Sequence, residues 1–440
     1  MFRNVINDLA AWYEEPKHKI LCIKGAYGVG KTWTIKDFAT AFFSSQKYID
    51  CSENKAFHDA ISGVTENDAG ETELKTIESR IEDIDSMLEQ HFECKDFADS
   101  ILIFDEVQDI SDCGELFYKY ARKHRDYTIC LIASTMEINE FEYTHPDVFK
   151  IIRMRPMNFE EYMIANKAHP FMAAIANHKS TPLTSLEENA ISSMLKEYMM
   201  VGGMPGIVSA YLKNRDYTIV RPMQEELLGE YEANIKQNFS SAMSQRCRRI
   251  WKSIPKQLTH DNKKFMYRFV ETNARGREYS EATQLLCDMG IVRKLPRLTD
   301  GSMPLEENVD YKAFELFYID HGLLRAAYGL PINEELTLKT IFEEQNGAIA
   351  EQFIFQELSN KVGNLYYWTS GATARVPFVY EGASVPVPVD IRFTPNPKAQ
   401  NIKTFRQKNP DTDTSLRVSL EPISLDNKVL NVPAYSLWNM

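Results

Sequence analysis

A doubly wound α/β fold is what this sequence predicts, and three stretches predict it. The first is an apolar strand candidate, Ile20-Leu21-Cys22-Ile23, which runs into Gly25-Ala26-Tyr27-Gly28-Val29-Gly30-Lys31-Thr32 and then into a helical segment from Trp33 to Phe43. The second is Ser100-Ile101-Leu102-Ile103-Phe104-Asp105-Glu106, and the third is Tyr127-Thr128-Ile129-Cys130-Leu131-Ile132-Ala133-Ser134-Thr135. Each is a continuous apolar run ending in polar groups, as a parallel strand covered on both faces requires.

The loop after the first strand fits G-x-x-x-x-G-K-[ST]. Its three glycines allow a tight turn, and the backbone N–H groups of Gly25, Ala26, Tyr27, Gly28, Val29 and Gly30 can be aimed inward at phosphate oxygens. The helix that follows adds its positive N-terminal end. Lys31 is expected to reach the β- and γ-phosphates of a nucleotide, with the Thr32 hydroxyl on Mg²⁺. Asp105, at the carboxyl end of its strand, lies where α/β sheets bind ligands and would complete the Mg²⁺ shell. Glu106 is next to it and placed to polarise the attacking water. Ser134 or Thr135 would sense the γ-phosphate, or the pair simply ends the strand in a turn. Lys47 to Cys51 and Val148 to Met154 read as two further strands, separated by helical patterns.

Length and composition bound the rest. A chain of 440 residues holds two to four domains, and 44% apolar residues suffice for real cores. No run of apolar residues is long enough for a membrane span, and the first residues lack the apolar stretch of a secretory signal. The seven cysteines are odd in number and widely spaced, and two fall inside strand candidates, which suits free thiols in a reducing compartment. The expected location is cytoplasmic. The net charge of −12 is uneven: residues 236–299 carry 14 Lys or Arg against 5 Asp or Glu. That basic segment is either a solvated face or a surface for phosphate.

The order of elements continues with a helix candidate over residues 2–14 and an acidic helix over 70–92. Pro156 ends the first module. Phe159 to Ala176 and Leu186 to Met200 read as helices, and Gly202-Gly203-Met204-Pro205-Gly206 interrupts them, with Pro205 suited to the first turn of the next helix. Residues 156 to about 235 therefore read as a helical lid. Arg268 to Leu298 reads helix, turn, helix, strand, with Ala274 to Asp288 helical, compatible with a winged helix-turn-helix. Phe314 to Tyr318 is a strand or a helix, Asn346 to Leu358 is a helix, and the chain turns β-rich from Asn364.

With those residues in view, the chain resembles a large group of bacterial and archaeal AAA-type ATP-binding proteins with a C-terminal region of unknown function. The marks are GAYGVGKT (25–32), ILIFDEVQD (101–109), LIAST (131–135), RPMNFEEYM (155–163), GGMPG (202–206), REYSEATQLLCDMGIV (277–292), DHGLL (320–324) and NGAIAEQFIFQEL (346–358). The resemblance implies an extra strand between the two ATP motifs, for which the 74-residue gap from Lys31 to Asp105 leaves room. It implies Glu106 as the residue that activates water, and Gly203-Met204-Pro205 packing on adenine, with Pro205 among the nucleotide contacts; a plain helix break is the competing reading. It also implies a C-terminal fold of the restriction-nuclease type. There the first-strand acid is replaced by Pro377, and the acid-x-Lys of the next strand reads Asp390-Ile391-Arg392, so cleavage is expected to be lost. Glu351 then becomes a polar anchor. Tyr27 stands where the family often has Arg, and Phe149-Lys150 stands where it often has Gly-Arg, which leaves Arg153 and Arg155 as weak candidates for a neighbour-facing arginine.

The sequence thus predicts an α/β P-loop NTPase of AAA/ASCE type with a parallel sheet (1–155), a helical lid (156–235), a winged-helix-like segment (236–335) and a degenerate nuclease-like α/β domain (336–440). The expected cofactors are ATP and Mg²⁺, with ATP closing the lid and hydrolysis releasing it. The expected role is a nucleotide-dependent switch on a macromolecular partner. DNA is a candidate partner through residues 236–299, no membrane is expected, and an oligomer is compatible. The alternatives are an ATP-switched nucleic-acid-binding regulator and a scaffold that binds ATP without turning it over.

Overall fold

The chain forms two compact units, Phe2–Arg155 with Asp288–Gly290, and Met1, Pro156–Cys287 and Ile291–Met440. The computed structural model describes all residues except 16–19, 67–71, 135–144, 372–373 and 394–399.

The smaller unit is built on strands β1 (Ile20–Lys24), β2 (Ser45–Asp50), β3 (Val64–Glu66), β4 (Thr72–Leu74), β5 (Ser100–Asp105), β6 (Thr128–Ala133) and β7 (Phe149–Arg153). Five of them form a sheet in the order β2-β5-β6-β1-β7, and every pair is parallel. β1, β5 and β6 are buried at every residue, which is why they read as unbroken apolar runs. Their side chains meet those of flanking helices in a core that includes Phe57, Ile84, Leu88, Phe104, Leu116 and Phe117.

The strand between the two ATP motifs is β6, which follows both motifs in the chain. The long gap from Lys31 to Asp105 instead holds β2, which pairs with the outer side of β5, and the hairpin β3–β4. The acidic helix is shorter than its periodicity, Ile77–Phe92. Its start is fixed by Thr76, whose hydroxyl accepts from the Ser79 N–H at 3.3 Å, and residues 72–74 pair as a strand.

The larger unit begins with helices Phe159–Ala165, His169–Asn177, Ser185–Val201, Pro205–Asn214, Val220–Asn238, Ser241–Leu258 and Gly276–Asp288. The expected single helix over 159–176 is two, because Lys167 takes a left-handed φ of 58° between them and Pro170 opens the second. Capping boxes at Asn158/Glu161 and Thr184/Glu187 fix two N-termini. Pro255 lies inside Ser241–Leu258, so the Trp251 carbonyl lacks its usual helical donor. The Tyr318 hydroxyl donates to that carbonyl at 3.1 Å, and the two rings stack at 4.0 Å.

Strands β8 (Val292–Leu298), β9 (Val309–Tyr318), β10 (Leu365–Thr369), β11 (Arg375–Glu381), β12 (Pro386–Arg392), β13 (Ser415–Ser419), β14 (Ser424–Asp426) and β15 (Val429–Pro433) complete this unit. They form one sheet in the order β14-β15-β13-β12-β11-β10-β8-β9. β8 and β9 pair antiparallel, as a wing would. The other edge of β8 is taken by β10, through Tyr367 opposite Arg297 and Trp368 opposite Leu298. The sheet therefore runs across the boundary expected at 335/336. The first helix expected in the winged segment is only a 3₁₀ turn at Tyr267–Phe269. The helix Leu338–Lys361 is broken at Glu344–Gly347, where Gln345, Asn346 and Gly347 take positive φ, so its regular second part starts after Gly347.

Four separate motifs of the sequence, together with Tyr198 of helix Ser185–Val201, meet in one buried cluster of this unit. The Gly203 N–H donates to Asp320 Oδ2 at 2.7 Å, and the Met157 N–H donates to the Gly203 carbonyl at 2.7 Å. The Tyr198 hydroxyl donates to the Met157 carbonyl at 2.6 Å, and His321 Nε2 lies 2.9 Å from the Tyr198 carbonyl. Gln356 Nε2 donates to Met157 O, and the Phe159 N–H donates to Glu357 Oε1 at 2.9 Å. A hydroxyl, an amide and three backbone N–H groups thus satisfy acceptors that burial has removed from water.

Glu357 bears the cost of that burial. Desolvation, opposed by the Phe159 and Tyr198 hydrogen bonds, pushes its carboxyl up to about 8. The unfolded chain releases this proton near the ordinary carboxylate value, so the folded state binds the extra proton between there and about 8. The contribution of Glu357 is thus fully present below the unfolded value and is lost as pH rises to about 8. Glu357→Gln, which keeps a neutral acceptor, is expected to gain on the parent by at most about 1.4 kcal/mol per pH unit across that window. Urea unfolding of both proteins at pH 5 and pH 8 measures it; a constant difference contradicts the assignment.

All seven cysteines are free, and Cys22, Cys51, Cys113, Cys130 and Cys247 are buried. Among the described residues, no helix is long and apolar enough to cross a membrane.

Candidate functional site

The loop at 25–32 is positioned by β1 and the helix Lys31–Phe42. Gly25 is required by close approach, since a Cβ there would lie 2.4 Å from the Met154 carbonyl. Gly28 and Gly30 take φ of 82° and 90°, and Gly30 caps the helix. Ala26 and Val29 are buried, whereas Tyr27 is 44% exposed. From the N-terminal segment, Arg3 Nη1 donates to the Val29 carbonyl at 2.7 Å, bracing the loop from behind.

The Lys31 ammonium folds over the loop. It donates to Gly25 O at 2.8 Å, Ala26 O at 3.2 Å and Ser134 Oγ at 3.0 Å. Burial lowers its pKa, and the charges of Glu106 and Asp105 oppose that. Thr32 Oγ1 donates to Asp105 Oδ2 at 2.5 Å, so the hydroxyl and the carboxylate that were separated by 73 positions are in direct contact. Asp105 is 1% exposed. Its second oxygen accepts the Glu106 N–H at 2.9 Å, and its Oδ2 also accepts the Tyr48 hydroxyl at 3.0 Å. Glu106 stands in the left-handed region, φ 55° and ψ 48°, at the turn between β5 and a 3₁₀ segment. Its Oε2 accepts Gln108 Nε2 at 2.6 Å, and Gln108 Oε1 accepts the Ser134 N–H at 3.3 Å. Burial raises the Glu106 pKa against the pull of Gln108 and Lys31.

Lys31, Thr32, Asp105, Glu106 and Ser134 are thus gathered at the carboxyl ends of β1, β5 and β6. Thr135 lies outside the described residues. Pro205 belongs to the other unit, where it opens the helix Pro205–Asn214. Gly202 and Gly203 before it are used inside that unit, where a Cβ on either would meet Asp320 Oδ1 at 2.4 Å or Met157 O at 2.2 Å.

Two site residues were not foreseen. Gln108 lies two places after Glu106 and orients it. Tyr48 lies on β2, where Asp50 is in register with Asp105, and the Lys36 ammonium sits 3.1 Å from the centre of its ring. Period-2 alternation puts Tyr48 and Asp50 on one side of the strand, but nothing in the sequence says that β2 neighbours β5.

In the larger unit, Glu351, Pro377 and Asp390 line one cavity of about 1000 Å³. The register Phe378 opposite Val389 sets Pro377 across from Asp390. Glu351 pairs with Lys263 at 2.8 Å and Arg375 at 2.9 Å, and Arg375 also holds Glu315 at 2.7 Å. Asp390 faces Arg417 at 3.6 Å, and Arg392 is exposed. Fixed cations occupy the acids. Among the described residues, no group of three His, Cys, Asp or Glu is placed to hold a metal ion.

The parallel sheet, the glycine loop between strand and helix, and the buried acid at the tip of a non-adjacent strand define the class: a P-loop α/β fold of AAA type. Comparison with protein families agrees. Residues 17–163 match the AAA domain, residues 192–334 a domain of unknown function (DUF8612) and residues 346–435 another (DUF4143). The chain carries an AAA-type P-loop domain followed by C-terminal domains of unknown function. No curated protein matches it. Similar solved structures include the S. cerevisiae Hsp104-ADP complex (12% identity, 66% of this chain and 39% of that one, TM-score 0.29). Others are C. elegans PCH-2 (16% identity, 45% and 56%, TM-score 0.27) and Drosophila ORC bound to DNA (11% identity, 75% and 95%, TM-score 0.26).

Proposed function

We propose that the protein is a Mg²⁺-dependent ATPase that acts as a nucleotide-dependent switch on a macromolecular partner. The contact between Thr32 Oγ1 and Asp105 Oδ2 carries this reading. Two hard oxygen donors stand side by side at the mouth of a loop whose N–H groups and lysine suit a triphosphate, and hard oxygens are what Mg²⁺ takes. Thr32 and Asp105 would hold the ion, which neutralises charge on the phosphates when bound. Lys31 exchanges its bonds to the loop carbonyls for phosphate oxygens. Glu106, oriented by Gln108, accepts the proton of the attacking water, and Ser134 reports the γ-phosphate to Lys31. The C-terminal sheet is read as a nuclease-like fold without cleavage, since cations fixed on Glu351 and Asp390 compete with any metal.

The test is nucleotide titration of the full chain with and without Mg²⁺. Lys31→Ala is expected to weaken ATP binding by roughly 10- to 100-fold, the loss of a charge-assisted hydrogen bond of about 1.5–3 kcal/mol. Unchanged affinity would remove the assignment of the loop.

A second reading, a nucleic-acid-binding regulator switched by ATP, is favoured by one observation: a groove of about 610 Å³ in the larger unit, lined by Arg248, Arg249, Lys252 and Lys256.

A further inference from the structure

We infer that this groove is a binding site for single-stranded nucleic acid, with backbone phosphates on the cations of helix Ser241–Leu258 and a base stacked at Phe269; the inference rests on the second reading above. The helix carries five Lys or Arg and no Asp or Glu, in a chain of net charge −12. One face is buried through Cys247, Ile250, Trp251, Ile254 and Leu258. The opposite face forms the groove wall. Arg248, Lys252 and Lys256 follow one another at four-residue intervals, about 6 Å per step along the axis, so they make a track and not a point charge.

The groove is closed by Phe269 and Val270. Phe269 is 42% exposed, its ring stacks on His260 at 4.9 Å, and the Arg268 guanidinium lies 5.0 Å from its centre. An exposed aromatic ring held within a cationic groove is the combination that serves unpaired bases. The acids nearby do not cancel the track. Glu232 pairs with Arg248 at 3.2 Å and Lys252 at 3.1 Å, and Glu271 with Arg249 at 2.6 Å, which leaves four cations against two acids. These pairs are part-exposed, contribute little, and can exchange for phosphate. Among the described residues, buried Arg248 Nε has no hydrogen-bond partner.

A duplex fits worse. A winged-helix reader would insert Gly276–Asp288, which carries Arg277 against Glu278, Glu281 and Asp288 and so repels phosphate. An acidic peptide would use the cations but has no need of the ring.

The experiment titrates the full chain with labelled oligothymidylate and oligouridylate of about 16 nucleotides, at salt from about 50 to 200 mM. A duplex, and polyglutamate as competitor, are the comparison arms. Binding of either single strand is expected to weaken steeply with salt. Replacing Lys252 and Lys256 by Ala is expected to lower the log–log salt slope by about 1.4, at about 0.7 per phosphate contact. Phe269→Ala is expected to cost roughly 5- to 150-fold at an unchanged slope, from the loss of one stacked base. All three side chains are exposed, and thermal melts check that the variants fold. Tighter binding of the duplex, displacement by polyglutamate as effective as by unlabelled strand, or an unaffected Phe269→Ala each overturns the inference. ATP binding is measured on the same samples. Oligonucleotide failure with ATP retained sinks this inference alone; loss of both sinks the nucleotide reading as well.

Discussion

Glu106→Gln is expected to bind ATP as the parent does and to lose turnover by roughly 10²- to 10⁴-fold, the usual contribution of a positioned general base. The substitution is nearly isosteric. The left-handed backbone at Glu106 is held by its own N–H to Asp105 Oδ1 at 2.9 Å, which the change leaves in place. A glutamine oxygen still accepts from Gln108. What is lost is the capacity to take a proton from water. Burial lifts the Glu106 pKa, so the acid limb of the parent's pH–rate profile should lie above the ordinary carboxylate range. Turnover requires the deprotonated form, so the rate rises as pH climbs through that value and levels off above it. Phosphate release measured from pH 4 to 8, alongside nucleotide titration, checks both halves. A variant that hydrolyses ATP at the parent rate would falsify the role given to Glu106.

The second large effect concerns stability. Gly202→Ala is expected to cost about 3 kcal/mol or more. Gly202 sits at φ 85° and ψ −176°, a region open essentially to glycine alone. A Cβ there would also lie 2.4 Å from Asp320 Oδ1 and 3.0 Å from Gly322 Cα. The backbone term and the steric term add, because no flexible side chain can yield: Asp320 is fixed by the Gly203 and Leu323 N–H groups at 2.7 and 3.0 Å. Gly229→Ala is the matched control. It lies inside helix Val220–Asn238 with open space at its Cβ position, and is expected to stabilise by about 0.5–1 kcal/mol. Denaturant unfolding compares the two, and equal midpoints for Gly202→Ala and parent would refute the packing account.

The site was legible in the sequence where chemistry is local. The glycine pattern, Lys31 and Thr32 lie within one loop, and their roles follow from the strand before it and the helix after it. Asp105 and Glu106 were legible because a buried parallel strand must be apolar throughout, so two acids at its end stand out. Tyr48 and Gln108 were not. Gln108 has its meaning only through Glu106 and Ser134, and Tyr48 only through the pairing of β2 with β5. The same holds for Gly202-Gly203: the break was legible, but its use against Asp320 and Met157 depends on other elements, Asp320 being more than a hundred residues away.

What the sequence by itself determined is a set of segments: buried strands, an anion-ready turn, capped helices and a basic stretch. Those follow from periodicity, side-chain size and backbone freedom, which act over a few residues. Strand order was decided only in three dimensions. β6 lies between β1 and β5 although it comes after both, and β8 joins β10 across an expected boundary. Local pattern says that a strand is covered or paired on each edge; it does not say by which partner, because that choice is made by the summed packing of side chains that are far apart in the chain.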